Sequence, residues 1–409
     1  MKFTFIDKDA ICIYDNGKIE KYESDFIRRY KETATRDKKS KEWKKNSDAM
    51  LYDGFFENSD RIVASVCSVS PTTEENKLVY TFTVNETSGV YYKYTDDEKK
   101  TEAHLLTSHE ENFLDVVINV NKDMGGTIQR NEFTSDVAVF SKEGGDYKLV
   151  TGGDSKDENP FFCGNGDILF NSYGVGRDLN NEFVKYVPSE ILKLNVHTME
   201  ITTLISDGKN SYIKPILDSE DTLYCIKKPG EEKEKGNAFL EIVLIPVRIV
   251  EAIIGFVSMF VTIFTGKPLM GGKGKTRSGG GAAKNADEKQ IFVHNHVLNV
   301  EKELKKNEKE QDFGFIPRGW KLVKIKKNKD DFSVQYDHGM AEELASGVAD
   351  FCLIEENGEK ILIYTNGKRI FALQENGEKK KLCNVDFCIK LGALQPCSVK
   401  AEDDLFERL

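Results

Sequence analysis

Three Asn-Gly pairs, Asn357-Gly358, Asn366-Gly367 and Asn376-Gly377, fall nine and ten residues apart in the C-terminal part of this 409-residue chain. Between them lie the β-rich runs Lys360-Ile361-Leu362-Ile363-Tyr364 and Arg369-Ile370-Phe371-Ala372-Leu373. Asn-Gly between such runs is a hairpin signal, because both residues tolerate the positive φ of a type I′ turn. The spacing therefore predicts an antiparallel meander. Its words recur at the other end of the protein: Ile11-Cys12-Ile13-Tyr14-Asp15-Asn16-Gly17-Lys18 matches Ile361-Leu362-Ile363-Tyr364-Thr365-Asn366-Gly367-Lys368. A second echo pairs Asp350-Phe351-Cys352-Leu353 with Asp386-Phe387-Cys388-Ile389, and the chain ends before that last unit receives its hairpin. The missing hairpin is expected at the N-terminus, around Ile11. A ring of β-units whose last member is stitched from both chain ends is a β-propeller.

The middle of the chain continues the rhythm. Val137-Ala138-Val139-Phe140 and Tyr147-Lys148-Leu149-Val150 flank Glu143-Gly144-Gly145-Asp146, a hairpin pattern. A further unit runs through Gly166-Asp167-Ile168-Leu169-Phe170, Glu190-Ile191-Leu192-Lys193-Leu194 and Glu200-Ile201-Thr202-Thr203-Leu204. It leads into Lys214-Pro215-Ile216-Leu217-Asp218-Ser219-Glu220-Asp221-Thr222-Leu223-Tyr224. These units resemble the blades of TolB-like propellers, in which a Leu-closing strand is followed by a Pro-containing strand, a polar turn and an aromatic strand. Asp221 stands where such blades usually carry Gly, and no Asp-box or Trp-Asp signature is present. The resemblance covers residues 1–229 and 318–397, and it implies protein-binding propeller faces rather than a reaction. The unit spacing predicts an all-β fold, a propeller of about six blades at roughly 40–50 residues each.

Residues 230–317 break the rhythm and read as an insertion within one blade, between propeller parts 1–229 and 318–409. After an acidic-basic lead-in comes an apolar run at 238–266, then a Gly- and Lys-rich linker at 267–285. A strand-like Gln290-Ile291-Phe292-Val293-His294-Asn295-His296-Val297-Leu298 and a charged helix-like stretch at 300–311 follow. As a helix at about 100° per residue, the run gathers Glu241, Arg248, Glu251, Gly255, Ser258 and Thr262 within an arc of about 100°. Pro246 suits its first turn or a kink.

Three roles fit this run. From Pro246 to Phe264 it would reach about 28 Å, enough to cross a bilayer. A single crossing, however, would put two halves of one sheet on opposite sides of the membrane. Burial against a protein partner or a second copy is another role. The third is a membrane-surface helix, apolar face down. Basic flanks suit that role on an anionic leaflet: Lys227, Lys228, Lys233 and Lys235 before the run, and Lys267, Lys273, Lys275 and Arg277 after it. So does the basic stretch 28–45, in a protein whose overall charge is −10. The residues expected to meet lipid or partner are Ile245, Ile249, Ile253, Phe256, Met259, Phe260 and Phe264.

No reaction is legible. Gly271–Thr276 spells Gly-Gly-Lys-Gly-Lys-Thr, but Leu269 occupies the position where a phosphate loop needs its first Gly. His294 and His296 would place two imidazoles on one strand face, which could bind a metal if a carboxylate such as the nearby Asp287 or Glu288 joined them. For a single pair, structural or exposed histidines are the preferred reading. The six histidines form no recognisable triad and no Gly-x-Ser-x-Gly elbow occurs. No catalytic, cofactor or metal residue is therefore assigned. The acidic balance argues against nucleic acid as a partner. Eight singly scattered cysteines and a start without an apolar leader point to reduced thiols and a cytoplasmic location. The expectation is a non-enzymatic intracellular scaffold that binds an unidentified protein and docks on the inner membrane face. Its alternative is a ligand-binding or hydrolytic propeller acting at the central channel, with the helix used for oligomerisation.

Overall fold

The computed structural model describes residues 1–45, 64–96, 101–163, 166–180, 182–230, 290–308, 312, 314–328, 336–356, 358–396 and 405–409. The chain opens with β1 (Lys2–Asp7), β2 (Ala10–Asp15), β3 (Lys18–Tyr22) and the 21-residue helix α1 (Asp25–Lys45). A four-stranded meander follows: β4 (Ala64–Pro71), β5 (Lys77–Val84), β6 (Thr87–Tyr94) and β7 (Glu102–Ser108). Next come β8 (Asn112–Ile118), β9 (Met124–Gln129), β10 (Ser135–Phe140) and β11 (Tyr147–Leu149). The following run is β12 (Ser155–Phe162), β13 (Asp167–Arg177), β14 (Phe183–Tyr186), β15 (Glu190–Asn195) and β16 (Glu200–Ile205), where β14 forms a side hairpin on β13. One parallel bridge, Ser135 to Lys156, links these two runs into a single sheet.

The next sheet combines β17 (Asn210–Leu217) and β18 (Thr222–Pro229) with later strands. Before those strands arrive, the hairpin β19 (Gln290–Val293) and β20 (His296–Asn299) and a helix at Val300–Asn307 intervene. Asn299 caps that helix by accepting from the Lys302 backbone N–H. Strand β21 (Lys321–Lys326) then pairs with β18 from Thr222↔Lys326 to Lys227↔Lys321, and β22 (Glu342–Ser346) completes the sheet. The last full meander is β23 (Asp350–Glu356), β24 (Glu359–Thr365), β25 (Gly367–Gln374) and β26 (Lys379–Cys388). Finally β27 (Leu391–Gly392) pairs with β1 through Phe5↔Leu391 and Thr4↔Gly392, so one sheet is made from both chain ends.

The apolar core shows how these sheets close into a ring. Period-2 alternation gives each strand two apolar faces, and each face packs on a different neighbour. On β1 and β2, Phe3, Phe5, Cys12 and Tyr14 face the β23–β26 sheet, while Ile6, Ile11 and Ile13 face the β4–β7 sheet. Val90 and Leu106 pack on Phe113 and Met124 of the next run, and Val137 and Val139 on Phe162 and Ile168 of the one after. Leu169 and Tyr173 then join Tyr212, Ile226, Leu322, Phe351 and Tyr364, which returns to the starting point. Sheet packed on sheet around a closed circuit, with closure by both chain ends, is an all-β propeller.

Some local expectations are corrected. The echoed hairpins do not occupy equivalent places: β2 and β3 are third and fourth in their sheet, whereas β24 and β25 are second and third in theirs. The echo of Asp350 at Asp386 ends the outer strand β26, and the inner strand comes three residues later as β27. Turn types also differ. Asn16-Gly17 has both residues at positive φ (47° and 94°), whereas at Asn366-Gly367 and Asn376-Gly377 only the glycine does. Asn366 instead accepts from the backbone N–H groups of Lys368 and Arg369. Asp221, in the place usually held by Gly, does take a left-handed φ of 60°. Asp218 steadies that turn by accepting from Glu220 and Thr222.

Candidate functional site

The innermost strands β4, β8, β12, β17, β23 and β27 bring polar side chains together where a propeller has its channel. Four of them are irregular at mid-length, with register breaks between Val66 and Ser68, Phe113 and Asp115, Glu158 and Phe161, and Ile213 and Ile216. In two cases the break carries a left-handed residue before proline, Asn159-Pro160 and Lys214-Pro215, both with φ of 55°. Bulges re-aim side chains and release them from ladder pairing. Here they support a chain of contacts. Ser68 donates to Asp115 Oδ1 at 2.5 Å, and Lys390 Nζ lies 3.5 Å from Asp115 Oδ2. Lys214 Nζ reaches Asp350 Oδ1 at 2.6 Å, while Asp350 Oδ2 accepts from the Leu391 N–H at 2.7 Å. The Lys214 N–H donates to Asn171, which also accepts from Asn159. Burial opposes the charge of Lys390, but Asp115, Asp350 and Glu158 outweigh it and hold the amine above its ordinary range.

The β19–β20 hairpin sits on the end of the propeller where the innermost strands begin. Its tip, His294-Asn295, is a turn with both φ values positive (47° and 57°), so the two histidines do not share a strand face as expected from the sequence. Asn295 accepts from Lys156 at the start of β12, the His294 carbonyl accepts from Lys228 at the end of β18, and His294 Nε2 meets the Ala349 carbonyl at 2.7 Å. Trp320 packs against both imidazoles, tilted on His294 at 5.7 Å and edge-on to His296 at 6.1 Å between ring centres. Burial, reinforced by the Lys390 charge, pushes the His294 imidazole down to about 3. At the other end of the channel, Gln395 accepts from the Phe162 N–H and donates to the Pro160 carbonyl, and its backbone bonds to Ile118 and Val120. The chain's own segments thus span both ends of the acid-base cluster.

No family model matches the sequence, and no curated protein matches it. Among solved structures, TolB from Acinetobacter baumannii aligns over 97% of this chain at 8% identity with a TM-score of 0.46. A putative TolB from Agrobacterium tumefaciens aligns over 81% of this chain and 86% of its own, at 10% identity and a TM-score of 0.33. A puromycin-hydrolyzing peptidase from Mycobacterium tuberculosis aligns over 92% at 9% identity, with a TM-score of 0.41. The chain resembles TolB in fold. It spans 66% of the Acinetobacter protein and 50% of the peptidase. These are likenesses of fold and carry nothing about activity, ligand or partner.

The seven contact residues from Ile245 to Phe264 and the flanking Lys233, Lys235, Lys267, Lys273, Lys275 and Arg277 lie outside the described residues, as does the Gly-Gly-Lys-Gly-Lys-Thr stretch. Of the remaining flanking residues, Lys227 and Lys228 belong to β18, and Lys228 donates to the His294 carbonyl. Among the described residues no helix is long and apolar enough to cross a membrane, and no group of three or more His, Cys, Asp or Glu is placed to hold a metal. The seven described cysteines are free thiols. Sequence reasoning missed Asp115, Lys214, Asp350 and Lys390 as a set. Their one local signal is proline inside an apolar strand, at Pro160 and Pro215, which marks a bulge.

Proposed function

We propose that the protein is a six-bladed, non-enzymatic propeller scaffold, attached peripherally to the inner face of a membrane through the inserted segment 238–266. What supports six blades is that the antiparallel pairings, the side hairpin β14 and the β19–β20 hairpin apart, fall into six four-stranded runs among the described residues. The observation that carries the attachment is the position of the insertion's two anchors. Gly230 donates to the Lys209 carbonyl just beyond the Pro229 end of β18, and the returning β19–β20 hairpin is pinned to Lys156, Lys228 and Ala349. Both anchors lie on the propeller end where the innermost strands begin, which supports attachment through that one face. Partner binding then falls to the remaining propeller surface, because the cluster's acids and bases are paired with one another and spanned by the chain itself. Flotation with phosphatidylserine vesicles tests the attachment: deletion of 238–266 should weaken binding by orders of magnitude, and unchanged binding refutes it.

A second reading is a ligand-binding channel. The convergence of Asp115, Glu158, Lys214, Asp350 and Lys390 favours it. Calorimetric binding of a small charged metabolite that Lys390→Met abolishes would support that reading over the scaffold.

A further inference from the structure

Helix α1 leaves the same propeller face as the insertion, which strand polarity establishes. The β1–β2 turn at Asp7–Ala10 lies at the Lys390 end of β27, because Phe5 pairs with Leu391 and the Ile6 N–H donates to the Lys390 carbonyl. The β5–β6 turn at Asn85 lies at the beginning of β4, because Ala64 pairs with Val84. The helix starts low on the β4–β7 sheet, where Asp25 meets Lys93 and Glu102 accepts from the Asp25 and Phe26 N–H groups. Phe26 then packs on Phe82 and Tyr91. One turn later Tyr30 accepts from Asn85, and Lys31 stands 3.7 Å from Asp9. Both of these partners belong to turns of the hairpin-bearing face. The helix has therefore reached that face by residue 31 and continues to Lys45, about 20 Å further at 1.5 Å per residue. A cleft of about 840 Å³, bounded by Asp7, Asp9, Arg28 and Arg36, opens between the helix and the β1–β2 turn.

From Lys31 to Lys45 the sequence has seven basic residues against three acidic ones, in a protein of net charge −10. We propose that this half of α1 is a second docking element, which binds the anionic headgroup surface of a bilayer by charge while the inserted segment binds by apolar burial. The inference rests on the attachment reading above and adds to it a second, charge-based contact on the same face. Charge complementarity chooses the occupant: an anionic leaflet attracts clustered Lys and Arg within a Debye length and repels the acidic remainder of the surface. Stable peripheral attachment generally needs two such signals.

The test uses the full chain, the chain lacking 238–266, and the quadruple variant Arg36→Gln, Lys38→Gln, Lys39→Gln and Lys41→Gln. Each is floated with phosphatidylcholine vesicles with and without phosphatidylserine, at low and high salt. Each charge removed should cost about five-fold in partitioning, so the quadruple variant should lose on the order of a hundredfold or more on anionic vesicles. The conservative variant Arg36→Lys should bind like wild type, and an unchanged melting temperature of the quadruple variant guards against a fold defect. The deletion should retain salt-sensitive binding to anionic vesicles alone. Wild-type affinity and salt dependence in the quadruple variant would overturn the inference. If the quadruple variant fails to bind while the deletion binds normally, the inserted-segment reading falls and this one stands.

Discussion

Lys214 Nζ lies 2.6 Å from Asp350 Oδ1, joining the first strand of one sheet to the first strand of the next. The other oxygen of Asp350 accepts from the Leu391 N–H, so the same carboxylate also holds the strand that closes the ring. Asp350 is 1% exposed and Lys214 15%. Removing one partner of a buried pair strands the other charge, at about 3–5 kcal/mol. Asp350→Leu should therefore lower stability by about that amount in urea unfolding, and by more than Lys214→Met, which leaves the Leu391 contact in place.

Ring closure depends on a close backbone approach at Gly392. A Cβ there would lie 2.0 Å from the Val69 carbonyl oxygen and 2.7 Å from Thr4 Oγ1. Neither the β1 nor the β4 backbone can yield without disturbing its own sheet. Gly392→Ala is expected to cost about 1–3 kcal/mol, as overpacking does elsewhere. Thermal unfolding gives the cost, and faster amide exchange in β1 than elsewhere would locate it.

Acid should loosen the β19–β20 hairpin. In the folded protein burial and Lys390 hold His294 neutral down to about pH 3, against an ordinary value of 6.5, with Lys228 acting in the same direction. The Ala349 carbonyl and Glu158 oppose this shift without overcoming it. The unfolded or released hairpin binds the proton first, so the stability from the neutral imidazole is complete above pH 6.5 and declines as pH falls toward 3. With Trp43 replaced by Phe, Trp320 emission should change over that window as its packing on His294 is lost. His294→Asn, which suits the same turn, should remove the pH dependence.

The sequence disclosed the meander and the ring closure because each depends on local pattern. Asn16-Gly17 and Pro215 are signals carried by a few neighbouring residues. It placed the echoed hairpins one strand out of phase, since β2 and β24 alternate in the same way and alternation does not record a strand's distance from the axis. The Ser68–Asp115 and Lys214–Asp350 contacts join residues 47 and 136 positions apart, and no local spacing predicts them. His294 and His296 read as strand residues because a His-Asn turn has no Gly to announce its left-handed backbone.

Attachment through one propeller face predicts that only this face is shielded by a bilayer. Hydrogen exchange of the full chain, with and without phosphatidylserine vesicles, tests it most directly. Vesicles should slow exchange at the Asp7–Ala10 turn, at Asn85–Thr87 and in the His294–His296 tip, while the β4–β5 turn at Thr72–Asn76 on the opposite end exchanges unchanged. Protection at Thr72–Asn76 without protection at those three sites would refute attachment through that face.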